Sequence, residues 1–77
     1  MRDTNRIHET TEKLCILWKE YFPNWRLGQL INNLARWSEN DLFYLEEDDF
    51  IKLLIDFIVD IHTAIEIKRE DVYDLLR

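Results

Sequence analysis

The densest set of chemically capable side chains is the run Glu46-Glu47-Asp48-Asp49. Carboxylates attract divalent cations, but a calcium loop spaces its ligands at alternate positions around a glycine, and this run does neither. It stands just before an apolar periodic stretch, the place where a helix macrodipole favours negative charge. No metal is expected. His8 and His62 are alone in their segments, without an adjoining nucleophile pattern. Cys15 lies off the main apolar stripe of its segment, and nothing beside it marks a reactive thiol. No catalytic residue and no cofactor site is expected, so the chain reads as non-enzymatic.

Two other groups invite a binding role. Trp18, Trp25 and Trp37 could stack on bases, but that needs interleaved Arg and Lys along a groove. Widening a small core is the simpler use, and Trp25 beside Arg26 could also make an exposed cation–π pair. Gln29, Asn32, Asn33 and Arg36 share one polar helical face. Asn is a poor interior helix residue, so this face is either plain solvent surface or a hydrogen-bonding contact surface for a partner.

The elements that carry these residues follow from composition and period. Seventy-seven residues support one domain, residues 1–77, with a small core. A 47% hydrophobic and 13% aromatic content is enough to drive folding, while a single Gly and a single Pro leave few turns for a sheet. The expectation is all-α: a bundle of three to four helices at about 4–21, 25–37, 47–63 and 69–76. One cysteine allows no internal disulfide, which fits a reducing, cytoplasmic setting. The polar first twelve residues do not resemble a signal peptide. The most apolar stretch, Phe50 to Ile61, is too short for a membrane span and contains Lys52, Asp56 and Asp60.

In the first segment Ile7, Thr11, Leu14, Trp18 and Tyr21 alternate at spacings of four and three, with Leu17 beside them. Asp3 is the expected N-cap, and Pro23 ends the helix near Phe22. In the second, Leu27, Leu30, Ile31, Leu34 and Trp37 make the apolar stripe. Gly28 inside it costs about 1 kcal/mol relative to alanine, so close packing against a neighbouring backbone is expected there. Leu42-Phe43-Tyr44-Leu45 reads as a connector that inserts its aromatics into the core, with Leu45 as a hydrophobic staple. The third helix has one narrow wet stripe, Asp49, Lys52, Asp56 and Asp60, and is otherwise dry. A helix so apolar is central or covered by another chain. Ile51, Ile55, Ile58 and Val59 are accordingly the expected interface, with a homodimer or another protein as the partner. The last helix docks back after a break around residues 65–68.

Charge is uneven: residues 1–36 carry +2 and residues 37–77 carry −8, within a net −6. Such an acidic surface repels phosphate, so direct nucleic-acid binding is disfavoured.

Arg2-Asp3, Arg6-Ile7, Trp18, Pro23-Asn24-Trp25-Arg26-Leu27-Gly28-Gln29-Leu30-Ile31, Asp41-Leu42-Phe43-Tyr44 and Glu47-Asp48 together resemble a family of short uncharacterised proteins of bacteria and their phages. The likeness covers residues 2 to about 57. Thr4 stands where that family often has proline, and the tail beyond Asp60 is longer than its pattern. The resemblance implies provenance rather than an activity.

Two functions fit. The first is a non-enzymatic protein–protein interaction module of bacterial or phage origin. The alternative is a small acidic phage-type inhibitor of a host defence or nucleic-acid-binding enzyme, its candidate patch being Glu46, Glu47, Asp48, Asp49, Asp56 and Asp60. Duplex DNA carries one charge per ~1.7 Å, roughly 17 over a 30 Å face. The stripe on the third helix is much sparser, and mimicry requires acids from the connector and the tail to converge with it.

Overall fold

The computed structural model describes residues 2–39 and 41–77. Four α-helices are formed: α1 (Asn5–Tyr21), α2 (Leu27–Ser38), α3 (Glu47–Ile61) and α4 (Arg69–Leu75). Short 3-10 turns, Leu42–Tyr44 and Thr63–Ile65, precede and follow α3. The all-α bundle expected from hydrophobic period is therefore the observed architecture.

α3 is the axis of the molecule. It packs against α1, α2 and α4, and α4 also touches α1. Its own Ile51, Leu54, Ile55, Phe57 and Ile58 supply half of the fully buried core; Leu17, Phe22, Leu30, Leu34 and Val72 supply the rest. This arrangement corrects the expected interface. Ile55 and Ile58 are 0% exposed, Ile51 is 6% exposed, and Val59 is half-buried against the core. The dry arc is wide because three helices of the same chain surround it, including a seven-residue α4 whose Val72 is wholly buried. No second copy is needed to cover it.

Each helix end has a local cause. At the start of α1 the N-cap is Thr4, one residue later than expected, and the Asp3 carboxylate accepts the Asn5 N–H at 3.0 Å. Pro23 forbids continuation, and Phe22 N–H closes the last turn on Trp18 O at 2.9 Å. α2 begins with Gln29 Oε1 accepting the Arg26 N–H at 2.8 Å. Arg26 has no acceptor, so only this half of a capping box exists. The helix ends at Glu39, whose φ of 57° lies in the left-handed region. α3 opens on Glu47, Asp48 and Asp49, the dipole-matched acids. It closes at His62, whose N–H donates to Ile58 O at 3.1 Å. The chain then turns through Glu66, at φ 54°, into α4. That turn falls within the expected break.

Two further expectations are overturned. A Cβ placed on Gly28 would meet nothing within 4 Å, so no backbone packs closely there. In the connector, Leu42 packs on the core while Phe43 and Tyr44 are 82% and 80% exposed. A 3-10 turn repeats every three residues, which places Leu42 and Leu45 on one side and the two aromatics on the others.

The exposed surface adds modest ties between elements. Arg69 Nε and Nη2 both reach Asp56 Oδ1, at 3.0 and 2.6 Å, joining α4 to α3. Both side chains are about half exposed, so the pair contributes at most ~1 kcal/mol. Trp37 Nε1 donates to Asp60 Oδ2 at 2.7 Å, joining α2 to α3.

Candidate interaction surface

α1 and α2 both lie against α3, and the turn that joins them contains Pro23. An open groove of about 610 Å³ runs along one face of α1 to the turn and the start of α2, lined by Thr11, Leu14, Cys15, Trp18 and Lys19 of α1 and by Pro23 and Leu27 beyond it. Its walls are fixed from behind. Leu14 and Trp18 pack on the core, and Trp18 Nε1 donates to Trp25 O at 2.9 Å, tying the helix to the turn. Trp25 in turn stacks on Phe22 with ring centroids 4.5 Å apart, and Phe22 stacks on Phe57 of α3 at 5.7 Å. Leu27, the first residue of α2, remains 47% exposed because the helix starts at the groove's edge. Among the described residues Lys19 is the sole charged one of the lining. Cys15 is exposed with a free thiol.

A second feature lies on the connector. Phe43 and Tyr44 meet edge to face, with centroids 4.9 Å apart and planes at 76°. Asp41 Oδ1 accepts the Phe43 N–H at 2.9 Å, and Leu45 N–H closes the turn on Leu42 O at 3.2 Å. Single exposed apolar residues are commonplace on proteins; two adjacent aromatics held outward by a capped turn are not. The tip is bordered by Asp41 and Glu46, both exposed.

The residues singled out from sequence fall elsewhere. Gln29 is used in the cap of α2. Asn32 and Arg36 are exposed and Asn33 is half-buried, and among the described residues their side chains make no hydrogen bond. The acids do not gather into one free patch. Arg2 Nη2 lies 3.0 Å from Glu46, Arg6 Nε lies 3.3 Å from Glu47, and Asp56 is held by Arg69. Asp60 accepts from Trp37, which leaves Asp48 and Asp49 without an ion pair among the described residues. The run opening α3 thus ties the amino-terminal segment to that helix. His8 lies 3.9 Å from Glu12, and the His62 ring sits beside Tyr21 and Phe22 with Nδ1 2.9 Å from Ile58 O. Trp25 pairs with Phe22 rather than Arg26. Among the described residues no His/Cys/Asp/Glu group has the geometry to hold a metal ion. None of the described helices is long and apolar enough to cross a membrane.

Sequence reasoning missed both surface features. Leu14 and Trp18 pack on the core as their period predicts, whereas Leu27 is 47% exposed, and period alone does not tell where a stripe runs past the end of its neighbour. The Leu42–Leu45 spacing of three was the available signal for an outward Phe43 and Tyr44. No family model, curated protein or solved structure matches the chain.

Proposed function

We propose that this protein is a non-enzymatic interaction module whose contact surface is the α1–α2 groove, which receives apolar side chains of another polypeptide. The observation that carries this reading is the 610 Å³ opening walled by Leu14, Trp18, Pro23 and Leu27. An apolar, preformed concavity with a few polar groups at its edge is the usual form of a binding site. Its walls are braced by the Trp18–Trp25 hydrogen bond and the Phe22 stack, so little ordering cost attends occupancy. Lys19 at the rim favours a partner segment that carries a carboxylate next to its apolar anchor. A bacterial or phage source, as the sequence resemblance implies, belongs to the same proposal.

The interface first expected on α3 gives this reading no support, since Ile51, Ile55 and Ile58 lie inside the protomer. The acidic-inhibitor alternative is weaker. Glu46, Glu47 and Asp56 are matched by Arg2, Arg6 and Arg69, which lowers the field a DNA-binding partner would meet.

The test uses the chain's one thiol as a reporter. Peptides selected for binding from a random displayed library are added to the folded protein, and Cys15 modification by maleimide is timed. Groove binders slow labelling and lose affinity for Leu27→Asp, which sets a carboxylate at a helix start where the dipole tolerates it. Selected peptides that leave Cys15 equally reactive and bind Leu27→Asp unchanged reject the groove as the contact surface.

A further inference from the structure

We infer that the Phe43–Tyr44 tip of one copy occupies the α1–α2 groove of a second copy. The inference rests on the groove being a polypeptide-binding surface, as proposed above, and names its occupant. Three observations support a copy of this chain over an unrelated one. The tip presents two aromatics at 82% and 80% exposure, and the groove offers Leu14, Trp18 and Leu27 as apolar walls. Its volume of about 610 Å³ falls in the range that accepts a drug-sized group, and a pair of rings in contact is such a group. The charges also match: Asp41, which has no ion pair among the described residues, borders the tip, and Lys19 is the charged residue in the groove lining.

The tip is built to hold its shape when it docks. Leu42 anchors it in the core, Asp41 caps the turn through the Phe43 N–H, and Arg2 binds Glu46 at 3.0 Å. Insertion therefore costs little conformational entropy. Because Phe43 and Tyr44 are open to solvent, the tip is not lodged in its own groove, and the contact is between molecules. Tip and groove are different surfaces, so each copy has one of each to offer. Two copies can exchange tips in a closed pair, or successive copies can add head to tail. A contact of this size is below the standard interface, so the association is weak and visible only at high concentration.

The experiment combines sedimentation of the whole chain over a wide concentration range with timed maleimide labelling of Cys15. The expected result is a mass that rises with concentration, more so at low salt, with Cys15 labelling slowing in step. Phe43→Ser should lower the association constant on the order of tenfold or more. Leu27→Asp should lower it as well, and both variants should retain the wild-type circular dichroism, since both sites are exposed. Under oxidising conditions Tyr44→Cys should form a disulfide to Cys15 of another copy, and adding Cys15→Ser should abolish it. A chain that stays monomeric throughout, or a Tyr44→Cys disulfide that survives Cys15→Ser, overturns self-docking. If the chain is monomeric but selected peptides still protect Cys15, only this inference fails; if nothing protects Cys15, the interaction surface fails with it.

Discussion

Gly28→Ala should stabilise the protein, and the sign of the effect is what matters. Hydrophobic period puts this glycine inside a helix, where retaining it suggests a close backbone approach that alanine would disrupt. The structure leaves the position open, with nothing within 4 Å of a Cβ built there and no positive φ at the glycine. Two terms then favour alanine: the unfolded chain loses backbone freedom, and the helix gains a better former. Their combined effect is about 0.5–1 kcal/mol, towards the lower figure because Gly28 is only the second residue of α2. Unfolding entropy near ~2.1 cal/mol/K per residue gives roughly 160 cal/mol/K for a chain of 77 residues. The midpoint of thermal unfolding should therefore rise by about 3–6 °C. Circular dichroism melts of dilute wild type and variant, below the range of any self-association, make the comparison. A lower midpoint for alanine would refute the open surroundings of Gly28 and restore the close-packing explanation.

Two further substitutions test the core and its ionisation. Ile55→Asp places an unpaired carboxylate at a site that is 0% exposed, at a cost of several kcal/mol against a total near ~4–12 for this length. The variant should lose helical circular dichroism; a folded, fully helical Ile55→Asp monomer would show instead that this face is an interface. Burial, then the charges of Glu20 and Asp71, raise the pKa of Tyr21 above its ordinary 10.0. The folded state thus keeps a proton that the unfolded state loses first. This contribution is complete below pH 10.0 and is lost as pH rises through the folded pKa. Tyr21→Phe should lose less stability than wild type between about pH 9 and about pH 11, and equal losses in denaturant titrations would reject the burial of this phenol.

Much of the fold is legible in the chain because its causes are local. The four-residue spacing of Lys52, Asp56 and Asp60 makes α3 a helix whatever surrounds it, Pro23 stops α1, and acids at 46–49 start α3. The candidate surface is much less legible. Leu14 and Trp18 pack on the core as their period predicts, and period does not tell that one side of each also lines an open groove.

Sequence by itself determined that this chain forms helices, roughly where each begins and ends, and that α3 is dry on most sides. Hydrogen bonding within a turn, helix dipoles and the proline ring act over a few residues and need no knowledge of the rest. Tertiary structure alone decided what covers that dry surface. α1, α2 and α4 wrap α3 completely enough to bury Ile51, Ile55 and Ile58, while Phe43 and Tyr44 stay 82% and 80% exposed. Burial depends on which helices meet and at what separation, a property of pairs distant in sequence, and no periodicity within a single segment carries it.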